Sequence, residues 1–213
     1  MSDVLVQISN TIIEGRAKDI AGLTHAALAE GLTAKEVLDR GLMPGMDEVG
    51  QQFKKGKKFV PEVLLAARTM QASLDILKPL LAETGEKMTG KAVIGTVKGD
   101  LHDIGKSLVG MMLEGSGFEV IDLGKDVSPE RFVEAVKTEK PDIVGLSALL
   151  TTTMRSMGHT ITMLREAGLR DQVKVMIGGA PVTTEFAKQI GADAYASNAP
   201  AAAEIAKQLV AVG

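Results

Sequence analysis

The 213-residue chain contains no cysteine. That excludes disulfides, cysteine-ligated zinc and a cysteine nucleophile. It has no tryptophan, and only 3% of its residues are aromatic. The stacking platforms of single-strand binders are therefore missing. The net charge of −3 gives no basic surplus with which to neutralise phosphates, so nucleic acid is not expected as a partner. No apolar window reaches the ~18 residues of a membrane span. The opening Met1-Ser2-Asp3-Val4 lacks the basic and apolar regions of a signal peptide. A cytoplasmic protein without membrane contact is expected. Glycine patterns for dinucleotides and the Walker lysine motif are absent too. What is present is 45% apolar and 24% charged residues, a composition that buries a core. The length suits two modest domains or one large one.

The character of the chain changes near residue 88. Before it, apolar residues recur at helical spacing: Val4, Ile8, Ile12 and Ile13, then Ile20, Leu23, Ala27 and Leu28. Thr33-Ala34-Lys35-Glu36 reads as a capping box that starts a short helix. Pro44 can stand in the first turn of the next helix, which Gly56 ends. Pro61 opens a long helix carrying Val63, Leu64, Ala67, Met70, Leu74 and Leu77. These elements predict an all-α bundle over residues 1–88. Residues 85–90 read as a linker.

From residue 89 to 213 the pattern alternates. Strand-like runs are Ala92–Val97, Phe118–Leu123, Asp142–Ser147, Val173–Ile177 and Asp193–Ala196. Helical patterns follow each, at about 104–115, 129–139, 152–168, 183–190 and 200–211. Repeated strand–helix units predict an α/β domain with a five-stranded parallel sheet covered on both faces. The expected order is 2-1-3-4-5, as in flavodoxin/Rossmann-like domains, with the switch point between strands 1 and 3.

Three loops at carboxyl ends of strands carry unusual residues. Gly99-Asp100-Leu101-His102-Asp103-Ile104-Gly105 presents one imidazole between two carboxylates. A neutral imidazole is a common metal ligand whose second nitrogen donates to a carboxylate, and Asp100 is placed to accept. The alternatives are a surface histidine or a helix cap, and Asp103 can serve as an ordinary N-cap. Ser147-Ala148-Leu149-Leu150-Thr151-Thr152-Thr153 offers four hydroxyls, to a ligand or as helix caps. For Thr151 and Thr152 capping is the expected role. Gly178-Gly179 allows close approach to a ligand or a tight turn. His25 and His159 have no ligand spacing to His102, and Lys54–Lys58 reads as a solvated turn.

With these loops in place the chain resembles the corrinoid proteins of methyltransferase systems, which are similar to the cobalamin-binding region of cobalamin-dependent methionine synthase. The D-x-H-x-x-G motif is Asp100 to Gly105, S-x-L is Ser147-Ala148-Leu149, and G-G is Gly178-Gly179. Leu42-Met43-Pro44-Gly45-Met46, Val49-Gly50, Phe53, Lys58-Phe59-Val60-Pro61 and Ala67-Arg68 resemble the family's helical cap.

The resemblance implies that His102 coordinates the cobalt of a corrinoid from its lower face, with Asp100 and Thr153 behind it. The cofactor's tail would run past Ser147, Leu149, Thr151, Gly178 and Gly179, where a side chain on either glycine would block the channel. Gly99, Asp103 and Ile104 would contact the cofactor. Gly105 would let the first helix of the domain pack closely. Phe53 and Val60 would shield the upper, methyl-bearing face. The implied function is that of a carrier subunit, not itself a catalyst, cycling between cob(I)alamin and methylcob(III)alamin (methylcobalamin). It would take methyl from methanol, a methylamine, betaine or an aryl methyl ether and pass it to tetrahydrofolate or a thiol. Its partners would be a substrate-specific methyltransferase, an acceptor methyltransferase and a reductive activator protein. A cobalamin-dependent sensor, the small subunit of an adenosylcobalamin mutase and a corrinoid-free domain of the same fold are the alternatives.

Overall fold

The computed structural model describes residues 3–84 and 88–211. The start at Met1-Ser2 and residues 85–87 of the expected linker lie outside the described residues; Gly90 already belongs to a strand. The chain divides into two compact units, Met1–Met88 with Glu114–Gly117, and Thr89–Leu113 with Phe118–Gly213.

The first unit is helical. Its elements are α1 (Asp3–Glu14), α2 (Ala17–Ala29), α3 (Ala34–Val37), α4 (Met43–Lys54) and α5 (Val60–Thr84). Helix α1 packs on α2 and α4, and α2 packs on α5. The interior is built from Leu5, Ile8, Ile12, Ile20, Leu38, Leu42, Met46, Met70, Leu74 and Leu77, all fully buried. The capping box forms: Thr33 Oγ1 accepts from the Glu36 amide and Glu36 accepts from that of Thr33. A π-helical turn, Leu38–Leu42, joins α3 directly to α4. The Met43 amide reaches back five residues to the Leu38 carbonyl. This wide turn accommodates the missing N–H of Pro44 in the first turn of α4 without breaking the rod.

The second unit alternates strand and helix. Strands are β1 (Gly90–Thr96), β2 (Phe118–Asp122), β3 (Ile143–Ser147), β4 (Lys174–Gly178) and β5 (Ala194–Ala196). Helices are α6 (Ile104–Glu114), α7 (Pro129–Glu139), α8 (Met154–Glu166), α9 (Thr184–Ile190) and α10 (Ala199–Ala211). All strand pairs are parallel, in the order β2-β1-β3-β4-β5. Both faces are buried, which is why the strands read as near-continuous apolar runs. Val93, Val144, Val175 and Ile177 meet Phe132, Met157, Ile161 and Leu164 from α7 and α8 on one face. Ala92, Ile94, Ile143 and Met176 meet Leu113, Ala202 and Ala206 from α6 and α10 on the other. Because β2 and β3 flank β1 on opposite sides, the direction in which strands are added reverses there, and the loops after β1 and β3 lie together at the carboxyl edge.

Candidate functional site

A buried carboxylate organises these two loops. Gly99 turns the chain with φ +84°, and the next residue, Asp100, is fully buried. An unpaired ionised carboxylate in such a place costs several kcal/mol, roughly, so donors must meet it. Five do. Asp100 Oδ1 accepts from the amide of His102 at 3.1 Å and faces His102 Nδ1 at 2.7 Å. Asp100 Oδ2 accepts from the amides of Leu149 at 2.7 Å and Leu150 at 3.2 Å and from Thr153 Oγ1 at 2.7 Å. Burial is the largest single influence on this carboxyl and pushes its pKa up; the donors, Thr153 foremost and then His102 and Leu149, together outweigh it. The group is held well below the usual carboxylate range.

That fixes the tautomer of His102. An ionised carboxylate only accepts, so the proton between it and the ring sits on Nδ1. Nε2 then carries a lone pair, and among the described residues no group hydrogen-bonds to it. The imidazole is half exposed. Its backbone is held as well: the hydroxyl of buried Thr96, at the end of β1, donates to the His102 carbonyl at 2.9 Å.

The same two loops expose four large apolar residues. Leu101 and Ile104 flank His102 in sequence, and Leu149 and Leu150 are tied to the same carboxylate; their exposures run from 42% to 73%. Large apolar side chains gathered in solvent mark a ligand or partner surface. The residues fit a corrinoid. His102 supplies one nitrogen donor, and among the described residues no three His, Asp or Glu groups come together to hold a bare ion. A metal that brings its other ligands in a flat apolar ring requires one donor with an apolar surround.

Two expectations need correction. Gly105 does not serve close packing, since a Cβ there would meet nothing within 4 Å. It leaves open space on the exposed first turn of α6, whereas the close approach of that helix is at Gly110, where a Cβ would lie 2.9 Å from Ile94 Cδ1. Thr151 and Thr152 do not cap α8, which starts at Met154 with Thr153 in the cap position. Thr153 makes no cap bond to the helix; its hydroxyl lies between Asp100 Oδ2 at 2.7 Å and the Leu150 carbonyl oxygen at 2.8 Å. Thr151 stays exposed on the turn.

The need for glycine at 179 arises inside the protein. Its φ is +136°, and a Cβ would fall 1.8 Å from the Ala148 carbonyl oxygen, because the loops after β3 and β4 cross there. Gly178 is less confined, with a Cβ 3.1 Å from the Ala196 oxygen. We expect Gly179→Ala to destabilise the cofactor-free protein by on the order of 3 kcal/mol, through backbone strain and the forced shift of a neighbouring chain. A thermal melt of the apo variant checks this, and an unchanged midpoint would contradict it.

Ser147 ends β3 half-buried, its carbonyl accepting from the Val97 amide at 3.0 Å. Asp103 precedes α6, and its carbonyl accepts from the Ser107 amide at 2.8 Å. In the helical unit Phe53 on α4 and Val60 at the start of α5 are half-buried, and Phe59 between them is largely in solvent. Leu101, Leu150 and Thr96 belong to the site but were not singled out in the sequence. Their signal is chemical mismatch: apolar residues in an otherwise polar loop, and a hydroxyl ending an apolar strand.

Residues 90–205 match the family described as B12 binding domain, and residues 4–78 match a second family of the same description. The chain is 44% identical over 211 residues to the dimethylamine corrinoid protein of Methanosarcina barkeri, covering 98% of each chain. It superposes on the crystal structure of the methanol:cobalamin methyltransferase complex MtaBC from Methanosarcina barkeri with a TM-score of 0.88 at 32% identity, covering 100% of this chain and 81% of that one. A cobalamin-binding protein from Desulfitobacterium hafniense DCB-2 gives a TM-score of 0.80 at 36% identity, covering 96% and 98%. The similarity runs along the whole length, and the chain belongs to the corrinoid proteins of the methylamine and methanol methyltransferase systems.

Proposed function

We propose that this chain carries methyl groups in a methylamine methyltransferase system, with His102 as the lower ligand of its corrinoid. The observation that carries the reading is the lone pair at His102 Nε2, set by a buried carboxylate bonded at Nδ1, on loops that expose four large apolar side chains. The corrinoid, when bound, supplies a cobalt centre that accepts a methyl group from one partner and yields it to another. The protein's part is to bind, orient and release. Asp100 holds the proton of the neutral ring at Nδ1, which leaves the lone pair on Nε2. A proton arriving at Nε2 takes up the lone pair, so ligation and protonation compete at that atom. Thr153 keeps Asp100 ionised while this happens. The open space at Gly105 and the turn at Thr151 leave room beside the imidazole. Gly99, Asp103, Ile104, Ser147, Leu149, Gly178 and Gly179 form the surrounding loops. Residues 89–213 would constitute the cofactor domain and residues 1–88 a cap, with Phe53 and Val60 shielding the methyl-bearing side until a partner docks. Those partners are a methyltransferase specific for the amine, an acceptor methyltransferase acting on tetrahydrofolate or a thiol, and a reductive activator, all cytoplasmic. Identity to a dimethylamine protein over nearly its full length favours a methylamine donor.

The test is reconstitution of the apo protein with hydroxocobalamin, followed by gel filtration and methyl loading. Stoichiometric corrinoid should co-elute with the protein. A dimethylamine methyltransferase with its amine should load it, and a methanol methyltransferase should not. Failure to retain corrinoid would remove the carrier reading; loading only from methanol would remove the choice of donor.

A further inference from the structure

A segment outside the three motif loops grips the histidine loop from its far side. It is the turn after β2, Asp122 to Val127. The Thr96 amide donates to the Gly124 carbonyl at 2.9 Å, and the Val127 amide returns a bond to the Thr96 carbonyl at 2.9 Å. Asp126 makes the central contacts. Its amide donates to the Asp100 carbonyl at 3.0 Å, and its Oδ1 accepts from the Gly99 amide at 2.8 Å. Lys98 Nζ lies 3.2 Å from its Oδ2. To face the loop with both groups, Asp126 adopts φ +55°, a left-handed conformation that non-glycine residues seldom take. Farther along, buried Lys106 of α6 donates to Asp122 at the end of β2. The residues before and after His102 are thus anchored to one turn.

We propose that Asp126 is a positioning residue for the axial histidine: by fixing the backbone of Gly99 and Asp100 it sets how firmly His102 holds cobalt. The proposal rests on His102 as the lower ligand. Orientation of a metal-bound imidazole depends on its carboxylate partner, and that carboxylate is only as well placed as the chain carrying it. Asp126 bonds the residue before Asp100 through its side chain and Asp100 itself through its amide. A locally unfavourable φ persists where surrounding contacts over-determine it, and here those contacts are with the histidine loop. The Lys98 ion pair is solvent-exposed and contributes little. The weight falls on the bond from Gly99.

Substitutions separate these parts. Asp126→Gly accepts the left-handed backbone but deletes the acceptor. Asp126→Asn keeps an acceptor oxygen and tolerates the same φ. Lys98→Ala removes only the ion pair. Each is loaded with hydroxocobalamin and reduced by one electron, and electron paramagnetic resonance counts the nitrogen on the lower face of cobalt. Wild type, Asp126→Asn and Lys98→Ala should show the histidine nitrogen. In Asp126→Gly the ligation equilibrium should fall roughly tenfold, the lower end of the range for residues behind a metal ligand. A ligated wild type with equally ligated Asp126→Gly overturns the proposal alone, as does a variant that melts earlier but ligates normally. A wild type without the nitrogen signal removes the reading of His102 and this proposal with it. Amide hydrogen exchange on the wild-type apo protein gives a check independent of any variant. The Gly99 amide should be protected although the loop is exposed, and rapid exchange there overturns the proposal.

Discussion

Replacing His102 with alanine should abolish the histidine-ligated spectrum of the reconstituted protein and leave the apo fold essentially intact. The two halves of this expectation have separate physical origins. In the proposed carrier Nε2 would be the donor atom, and among the described residues no three His, Asp or Glu groups come together to hold a metal in its place. The ring is half exposed and its contact with the protein is the Nδ1–Asp100 bond. Once it is gone, Asp100 still accepts from Thr153 and from the amides of His102, Leu149 and Leu150, so no buried charge is stranded. The stability cost should stay near that of one hydrogen bond to a charged group, about 1.5–3 kcal/mol at most. Absorption spectra of hydroxocobalamin-loaded wild type and His102→Ala, with melts of both apo forms, check the pair of outcomes. An unchanged spectrum would overturn the ligand assignment, and a collapsed apo fold would overturn the structural account.

Asp100→Asn should do the opposite and damage both. The carboxylate meets donors on both oxygens, whereas a carboxamide has one acceptor and one donor side. If its NH2 faces Leu149, Leu150 and Thr153, donors collide with donors in a buried position. If it faces the imidazole, Nδ1 must become the acceptor, the proton moves to Nε2, and the lone pair that ligates is lost. We expect a loss of about 2–4 kcal/mol in the apo protein. Histidine ligation should fall by roughly 10- to 100-fold.

The effect has a pH signature. The native carboxyl titrates well below its unfolded value of about 3.9. Its contribution is therefore complete above the unfolded pKa and lost as pH falls through the folded one. The stability gap between wild type and Asp100→Asn should be constant above about pH 5 and narrow in acid. Denaturant melts across that range decide it. A gap that widened in acid would contradict the assignment of Asp100 as an ionised, donor-saturated group.

Much of this was legible in the sequence, for local reasons. The strand–helix alternation yields the 2-1-3-4-5 sheet, because parallel neighbours need helical crossovers and those crossovers have one hand. The capping box at Thr33 is visible because its partners are three residues apart. Asp100 beside His102 is visible for the same reason, being two residues away. Distance in sequence hides the rest. Asp126 lies 27 residues from Gly99, and Lys106 and Asp122 are separated by 16. Each reads alone as an ordinary surface charge. The glycines show the limit most clearly. Gly105 and Gly179 look alike in a motif, yet one borders empty space and the other a carbonyl oxygen from the adjacent loop. Which backbone crosses which is a property of the assembled sheet.

The five donors around Asp100 also separate what must move from what must stay. If the imidazole swung away, the carboxylate would lose one of five partners and remain a closed interior junction. The amides of Leu149 and Leu150 would keep their anchor, and so would the Thr153 hydroxyl. Ring departure would then cost about one charge-assisted hydrogen bond, within reach of thermal motion and of a modest push from a partner. Sharing the carboxylate among many donors would let the histidine act as a hinged arm on a fixed bracket, able to leave without loosening its mount.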